Sequence, residues 1–440
     1  MGRQPSCYAH ADRHPMDNLS HSLIGLIAGE AVARTTRARE PGLSQQTWRG
    51  LLVTLSVVGG NLPDLDLIYS YRGFSNDPRS KLDYMLQHRG YTHTILGCVI
   101  LALLLYAAVE VWARWRRVAL SPQDRGALAS MACFGVLLHL ATDFLNSYGV
   151  HPFWPLQNRW YYGDSVFIVE PLYWAAAAPL LFVVRSGLAR VVLALSLAAA
   201  VVLCLLSERV TPGWCVGLGV LMLVLLVLGA RASAGAAAIT SAAVMLAVTV
   251  MFLVAGGAAA RRVDAIAAAD FPGGDLLDHV LSPAPMNPLC WDVLLLEMSG
   301  DRYTVREGVL STLPAVMPAK RCPRMSDGRP MTVLAQPPAG SGEVRWLGEF
   351  TMSRALLVEL VASHCDAAAL MQFVRAPFAT WQRRGWIMGD LRFAGERGGG
   401  MATLVLGAPS RAECRRSVPW VFPRADLLHQ DDGTEKKEMK

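Results

Sequence analysis

Histidines and aspartates recur at the ends of apolar segments between residues 18 and 170. They lie in NLSHSLIG (His21), NLPDLD (Asp64 and Asp66), QHRGYTHT (His88 and His93) and LLHLATDF (His139 and Asp143). Ionisable groups beside lipid are costly, and where they occur they mark function. Imidazole with carboxylate is a donor set for a divalent cation; it suits Zn2+, Mn2+ or Fe2+ better than Ca2+, and no cysteine belongs to it. His139 and Asp143 are four apart, so on a helix they share one face and reach one ion. Asp64 and Asp66 flank a turn after Pro63, where a helix ends and carboxylates converge. His88 and His93, five apart, need a loop-to-helix junction. Seven candidate ligands exceed the four of a closed zinc site. Two ions about 4 Å apart, or one ion with outer hydrogen-bonding partners, both fit. Asp66 or Asp143 is the candidate acceptor for a proton from water at such an ion. Arg89 and Thr92, between the two histidines, are placed to bind an anionic group or to orient a ligand, Arg89 through its bidentate fork.

The elements that must hold these residues are membrane helices. The chain of 440 residues is 53% hydrophobic and only 17% charged, with a mean hydropathy of +0.32. A soluble protein averages about 25% charged. The deficit lies before residue 260, which divides the chain into a membrane half and a water-facing half. Apolar segments at 20–34, 50–68, 93–112, 127–145, 171–185, 188–206, 213–230 and 236–256 suggest about eight spans, the first and fifth of them short. Gly59, Gly60 and Pro63 in the second fit a tightly packed or broken membrane helix. The net charge of +6 comes from arginines in loops rather than from a stripe, so the sequence offers no nucleic-acid surface.

Those arginines fix an orientation. Arg34, Arg37, Arg39 and Arg49 follow the first span, and Arg114, Arg116, Arg117 and Arg125 the third. Arg185, Arg190 and Arg231 follow the fifth and seventh. The positive-inside rule makes that side cytoplasmic. The seven histidines and aspartates then fall at the opposite, outer face, together with the loops 69–92 and 146–170 and the C-terminal half. The aromatic stretch 146–174 suits the headgroup level. The alternative to that first reading is a lid over the site, with His151, Asp164 or Glu170 making a polar contact.

Residues 1–15 have no apolar core and read as a disordered leader or as sequence before the true start at Met16. Residues 16–257 form the transmembrane domain, with the site motifs in 16–175. Residues 258–430 form a smaller α+β extramembrane domain, and 431–440 a charged tail. Within that domain WDVLLLEM (291–298), a turn at 299–301 and RYTVREGVL read as a β-hairpin. VRWLGEF is a further strand, 352–373 has helical periodicity, and GWIMGDLRF with MATLVLG suggests a closing strand pair. Cys290, Cys322, Cys365 and Cys414 are an even number in a compartment that permits disulfides, and four cysteines allow three pairings. Free thiols fit equally well.

The motifs HSLIG, NLPDLD, HRGYTHT and HLATDFLNSYG together resemble the YdjM-like family of inner-membrane metal-dependent hydrolases, over about residues 16–175. NPLCW (287–291) and GDLRF (389–393) extend the likeness more weakly. The resemblance implies a helical membrane core with a divalent-metal hydrolase site at His21, Asp64, Asp66, His88, His93, His139 and Asp143. Glu170 stands where the family more usually has an aspartate. The expectation is mainly α: a polytopic helix bundle followed by the α+β domain, multi-pass in a bacterial inner membrane, with site and C-terminal domain facing the periplasm. Zn2+, or else Mn2+ or Fe2+, as one or two ions, would assist hydrolysis of an ester or phosphoester. The bilayer is the expected partner, with a lipid or lipid-linked substrate and no nucleic acid. The alternative is a non-catalytic metal-binding membrane protein, either a transporter or a scaffold for the C-terminal domain.

Overall fold

The computed structural model describes residues 15–36, 42–70, 78–325, 328–334, 342–383, 385–395, 400–408 and 417–428. Residues 1–14 with His10, His14 and Cys7, the arginines Arg37, Arg39 and Arg72, Cys414 and residues 431–440, on which some of these expectations fall, lie outside the described residues.

Each apolar run of the membrane half folds as helix, and polar residues at the run's edge begin it. The helices are α1 (Pro15–Thr35), α2 (Gln45–Gly59), α3 (Leu67–Ser70), α4 (Pro78–Gln87), α5 (Ile95–Trp115) and α6 (Pro122–Phe144). They continue as α7 (Pro171–Ala176), α8 (Gly187–Leu206), α9 (Pro212–Arg231) and α10 (Ala234–Asp270). Thr94, Ser186 and Ser233 cap α5, α8 and α10 through their hydroxyls, and Ser121 with Asp124 forms a capping box at α6. Among the described residues five helices, α5, α6, α8, α9 and α10, are long and apolar enough to cross a membrane. At 1.5 Å per residue α5 is about 31 Å long, close to the thickness of a hydrocarbon core. The other three segments read as spans are helical but fall short of that standard. The helix α1 carries Ser20, His21, Ser22, Glu30 and Arg34, α2 has 15 residues, and α7 passes into a 3-10 turn at Ala178–Phe182.

Small residues set the packing. A Cβ on Gly59 would come within 3.1 Å of the Gly135 backbone, and one on Gly135 within 2.9 Å of the Leu55 carbonyl oxygen. The two helices α2 and α6 therefore meet backbone to backbone, as small residues permit in membranes. Glu30 is buried between Arg34 and Arg49, 3.0 Å and 2.6 Å away. Arg49 also donates to the Val183 carbonyl. This ties the start of α2 to the end of the 171–182 segment, at the end of the bundle away from His21 and His139. The run of alanines 175–178 is wholly buried, a packing face as its composition suggests.

The helix α10 runs on past the bundle into an antiparallel sheet of β1 (Asp275–Ala284), β2 (Asn287–Ser299), β3 (Arg302–Ser311) and β4 (Val344–Ser353). Helices α11 (Arg354–Ser363) and α12 (Cys365–Leu370) lead to a second sheet, β5 (Pro377–Gln382), β6 (Gly385–Asp390) and β7 (Thr403–Val405). The hairpin expected at 291–310 is β2 and β3, and the closing pair is β6 and β7; β1 and β5 carry no clear alternation and escape a sequence reading. The helical stretch 352–373 breaks at His364, which is extended. Disulfides join Cys290 to Cys322 and, at the turn between α8 and α9, Cys204 to Cys215; Cys365 is also disulfide-bonded.

This α+β part shares its core with the loops of the site. Leu82, Met85 and Leu86 of α4, and Tyr148, pack with Leu357, Phe373, Phe378 and Met388. Arg375 sits over the Tyr162 ring and pairs with Asp164 of the 146–170 loop (2.8 Å) and Asp278 of β1 (2.8 Å). Burial opposes ionisation of Asp278, but Arg375 and Arg424 outweigh it and hold its carboxyl below the usual value. Glu170 caps α7 and accepts the Leu172 and Met286 amides, and burial pushes its pKa up to about 7 against those bonds.

Removing the Arg375 guanidinium strands the buried Asp164 carboxylate and leaves Asp278 with Arg424 alone, so Arg375→Met is expected to lower stability by about 3 kcal/mol. Denaturation in detergent reads this directly; a loss near zero would mean that the loop and β1 dock without the ion pairs. Glu170 gives a pH dependence of definite sign. Its folded pKa lies above its ordinary value of 4.5, so its contribution falls as pH rises from there to about 7 and then levels off. Glu170→Gln should flatten the stability profile over that window, and an unchanged profile would show that Glu170 does not titrate there.

Candidate metal centre

Four helix ends converge because antiparallel neighbours alternate direction. His21 lies in the second turn of α1, and Gly60 follows α2. Asp64 and Asp66 belong to the 3-10 turn Pro63–Asp66. His88 follows α4, His93 closes the 3-10 turn Tyr91–His93 before α5, and His139 and Asp143 lie one turn apart on α6. All seven residues and Arg89 are buried, and they meet in one cluster.

At its centre are four ligand atoms. His93 Nε2 and His139 Nε2 are 3.0 Å apart. Asp64 Oδ1 lies 3.4 Å and 3.5 Å from them, and Asp143 Oδ2 3.2 Å and 3.4 Å. A tetrahedral ion bound at about 2.0–2.1 Å would separate its ligands by about 3.3 Å. The far sides of both imidazoles are occupied. His139 Nδ1 is 2.8 Å from the Gly60 carbonyl oxygen, which only accepts, so Nδ1 carries the proton and Nε2 turns a lone pair inward. His93 Nδ1 is 3.1 Å from Asp66 Oδ2, with the same consequence. Two lone pairs and two carboxylates facing one another repel unless positive charge sits among them, and this group can hold a metal ion.

Asp66 is the anchor of the outer ring. Its Oδ2 accepts from the Arg89 amide (2.9 Å) and the Thr92 hydroxyl (3.0 Å) as well as facing His93, while Oδ1 lies 3.0 Å from His88 Nδ1. Asp64, Asp66 and His88 are a second group that can hold an ion, and Asp64 belongs to both. The other oxygen of Asp143, Oδ1, lies 2.9 Å from Arg89 Nη2 and 3.3 Å from His21 Nε2. His21 also stacks on His139, with ring centroids 4.0 Å apart. Arg89 has a positive φ of 59°. It donates to Asn146 Oδ1 and the Asp143 carbonyl, and it lies 4.6 Å over the Tyr148 ring. A cavity of about 20 Å³ is lined by the polar residues His21, Thr142, Asp143 and Asn146 together with apolar ones, among them Ile24 and Val166. That is room for one water.

The three polar residues of the 146–170 loop stand apart from this centre. Asp164 pairs with Arg375, and Glu170 caps α7. His151 is stacked on Trp420 and edge-on to Trp160, where burial pushes its pKa down to about 3 and leaves it neutral. Sequence reasoning missed the Gly60 carbonyl, Asn146 and Tyr148. Asn146 stands three residues after Asp143, a spacing that signals a shared helix end; a carbonyl carries no side-chain signal at all.

The profile of the YdjM inner membrane protein family matches residues 16–263. The chain belongs to that family. The match takes in more than half of the chain, includes every residue of the His/Asp cluster, and ends within α10, before the first sheet. No curated protein and no solved structure matches the chain. In this YdjM family chain, then, the matched region is the bundle with its cluster, and the sheets lie beyond it.

Two substitutions separate ligation from orientation. Asp143→Asn should abolish metal binding while helical content persists. Asp66→Asn, which reaches the central group only through His93, should weaken binding there about 10–100-fold. Elemental analysis and metal titration of the purified chain distinguish them; full metal content in both variants would make the cluster a helix contact and nothing more.

Proposed function

We propose that the chain is a divalent-metal-dependent hydrolase of the inner membrane, acting on an ester or phosphoester, carried by a lipid, at the outer headgroup level. The observation that carries this reading is the convergence of His93, His139, Asp64 and Asp143 at ligand spacing, with both histidine tautomers fixed from behind. A nitrogen and oxygen set without sulfur favours Zn2+ over softer ions, with Mn2+ and Fe2+ as alternatives. A divalent cation bound there supplies Lewis acidity and lowers the pKa of water toward neutrality.

The chain's own residues do the rest. His21 and Asp143 line the water-sized cavity, and one of them would accept the proton of a water held there. Asp66 orients His93 and His88. Arg89 steadies Asp143, and a substrate anion reaching the cluster competes with Asp143 for that guanidinium. His88 with Asp64 and Asp66 is the place for a second ion.

An outward-facing site is supported by two separate features. Arg34, Arg49, Arg116 and Arg231 gather at the helix ends away from the cluster, as cytoplasmic loops do. The disulfides Cys204–Cys215 and Cys290–Cys322 fall at the cluster's end of the bundle and in the sheet domain beyond it, and disulfides persist in an oxidising compartment.

One feature favours a second reading. Four protein donors close a tetrahedral ion, as structural zinc sites do, whereas catalytic sites keep a position open. A metal-binding membrane protein that presents its sheet domain, without turnover, is built that way. Transport is less favoured, because α8 and α9 offer almost no polar residues at mid-membrane depth.

Purified chain in lipid nanodiscs, loaded with Zn2+ or Mn2+, is expected to hydrolyse at least one member of a panel of phosphoesters and acyl esters. The activity should be lost in His139→Ala. Metal binding with no turnover across the panel would select the structural reading. For the topology, a cysteine at Arg159 should react with a membrane-impermeant reagent in intact cells and one at Arg116 should not; the reverse pattern would place the cluster inside.

A further inference from the structure

The turn at 151–156 carries apolar side chains that the protein leaves uncovered. Leu156 is 96% exposed and Phe153 45% exposed, although His151 at the base of the same turn is wholly buried. The Pro152 carbonyl accepts the amide of Ile95, the first residue of α5, at 2.8 Å. The turn therefore stands at the depth where that span begins. Ile95, Leu96, Val99 and Ile100 face outward along the first turns of α5, and Leu65 and Ile68 are exposed beside the ligand turn Pro63–Asp66. Tyr91 is edge-on to Trp154 (5.0 Å) and to Trp420 (5.3 Å).

We propose that residues 151–156 are a membrane anchor, seated with Phe153 and Leu156 in the acyl–headgroup boundary of the bilayer. The bilayer is the occupant because the patch is continuous with the lipid face of α5, to whose first residue it is hydrogen-bonded. The composition agrees: aromatic rings with one apolar and one wet side collect at that boundary, and aliphatic tips reach below it. On its other side the loop is held by the C-terminal segment. His151 stacks on Trp420 at 4.1 Å, and the Val421 amide donates to the Asn158 carbonyl. The anchor thus links three bodies: the lipid surface, the start of α5 two residues after the ligand His93, and the segment 417–428. It fixes the aromatic loop at headgroup depth whether or not the cluster hydrolyses anything.

The test uses the full chain in phosphatidylcholine and phosphatidylglycerol vesicles. Leu156→Cys, and separately Phe153→Cys, carries an environment-sensitive fluorophore; Asp301→Cys, at the exposed turn between β2 and β3, is the aqueous control. The unsubstituted chain labelled in parallel supplies the background from native thiols. Labels at 153 and 156 are expected to emit at shorter wavelength than the label at 301. Lipids carrying a nitroxide near the headgroup should quench them at least twofold more strongly. Emission and quenching equal to the Asp301 control at both positions would overturn the anchor, because the turn would then stand in water.

Discussion

A carboxylate buried where a helix bundle meets lipid is costly unless its charge is met, and Asp64, Asp66 and Asp143 impose that cost three times within one site. The surrounding structure answers each of them. Asp66 is surrounded by an amide, a hydroxyl and two imidazoles. Asp143 divides its oxygens, one to Arg89 and His21 and the other to the histidine nitrogens. Asp64 faces the two inward nitrogens. The inner edges of Asp64 and Asp143 remain to be neutralised, and they point at one another across the space that fits an ion.

That requirement organises elements far from the cluster. The Gly59–Gly135 contact lets α2 and α6 approach until the Gly60 carbonyl reaches His139. A side chain at Gly135 would force a shift in this contact, and one at Gly59 would crowd it. Arg392 donates to the Ser147 and Tyr148 carbonyls, Tyr148 lies under Arg89, and Arg89 holds Asp143. The sheet domain contributes no ligand among the described residues, yet by this chain of contacts it positions one. The same domain buries α4 in its core, and α4 leads directly into His88.

The bundle also separates two kinds of surface. The exposed apolar side chains of α5, α8 and α9 are unremarkable for helices in lipid, and their positions agree with spans of about 30 Å. The exposed residues of the 151–156 turn differ, because they belong to a loop whose other side is packed on the sheet domain. Seated as proposed, that loop is held by lipid on one side and by protein on the other.

The sequence by itself determined the ligand types, the helical nature of the membrane half and the gathering of His21, Asp64, Asp66, His88, His93, His139 and Asp143 at one end of it. Helix periodicity puts His139 and Asp143 on one face, and alternation of spans brings the helix ends together; both follow from local rules. The hairpin β2–β3 was legible for the same reason, a turn between apolar runs. Tertiary structure alone decided which residues face the centre and which stand behind it. His93 and Asp66 are equally polar in sequence, but only the fold turns Nε2 of one inward and uses the other to hold Nδ1. The carbonyl of Gly60, the pairing of Arg375 with Asp164 and Asp278, and the Cys204–Cys215 disulfide join residues from 11 to 211 positions apart. The two cysteines lie close in the chain, but spacing alone does not pair them, and no window of sequence contains the other partners; what joins them is the distance between packed elements and not the order of the chain.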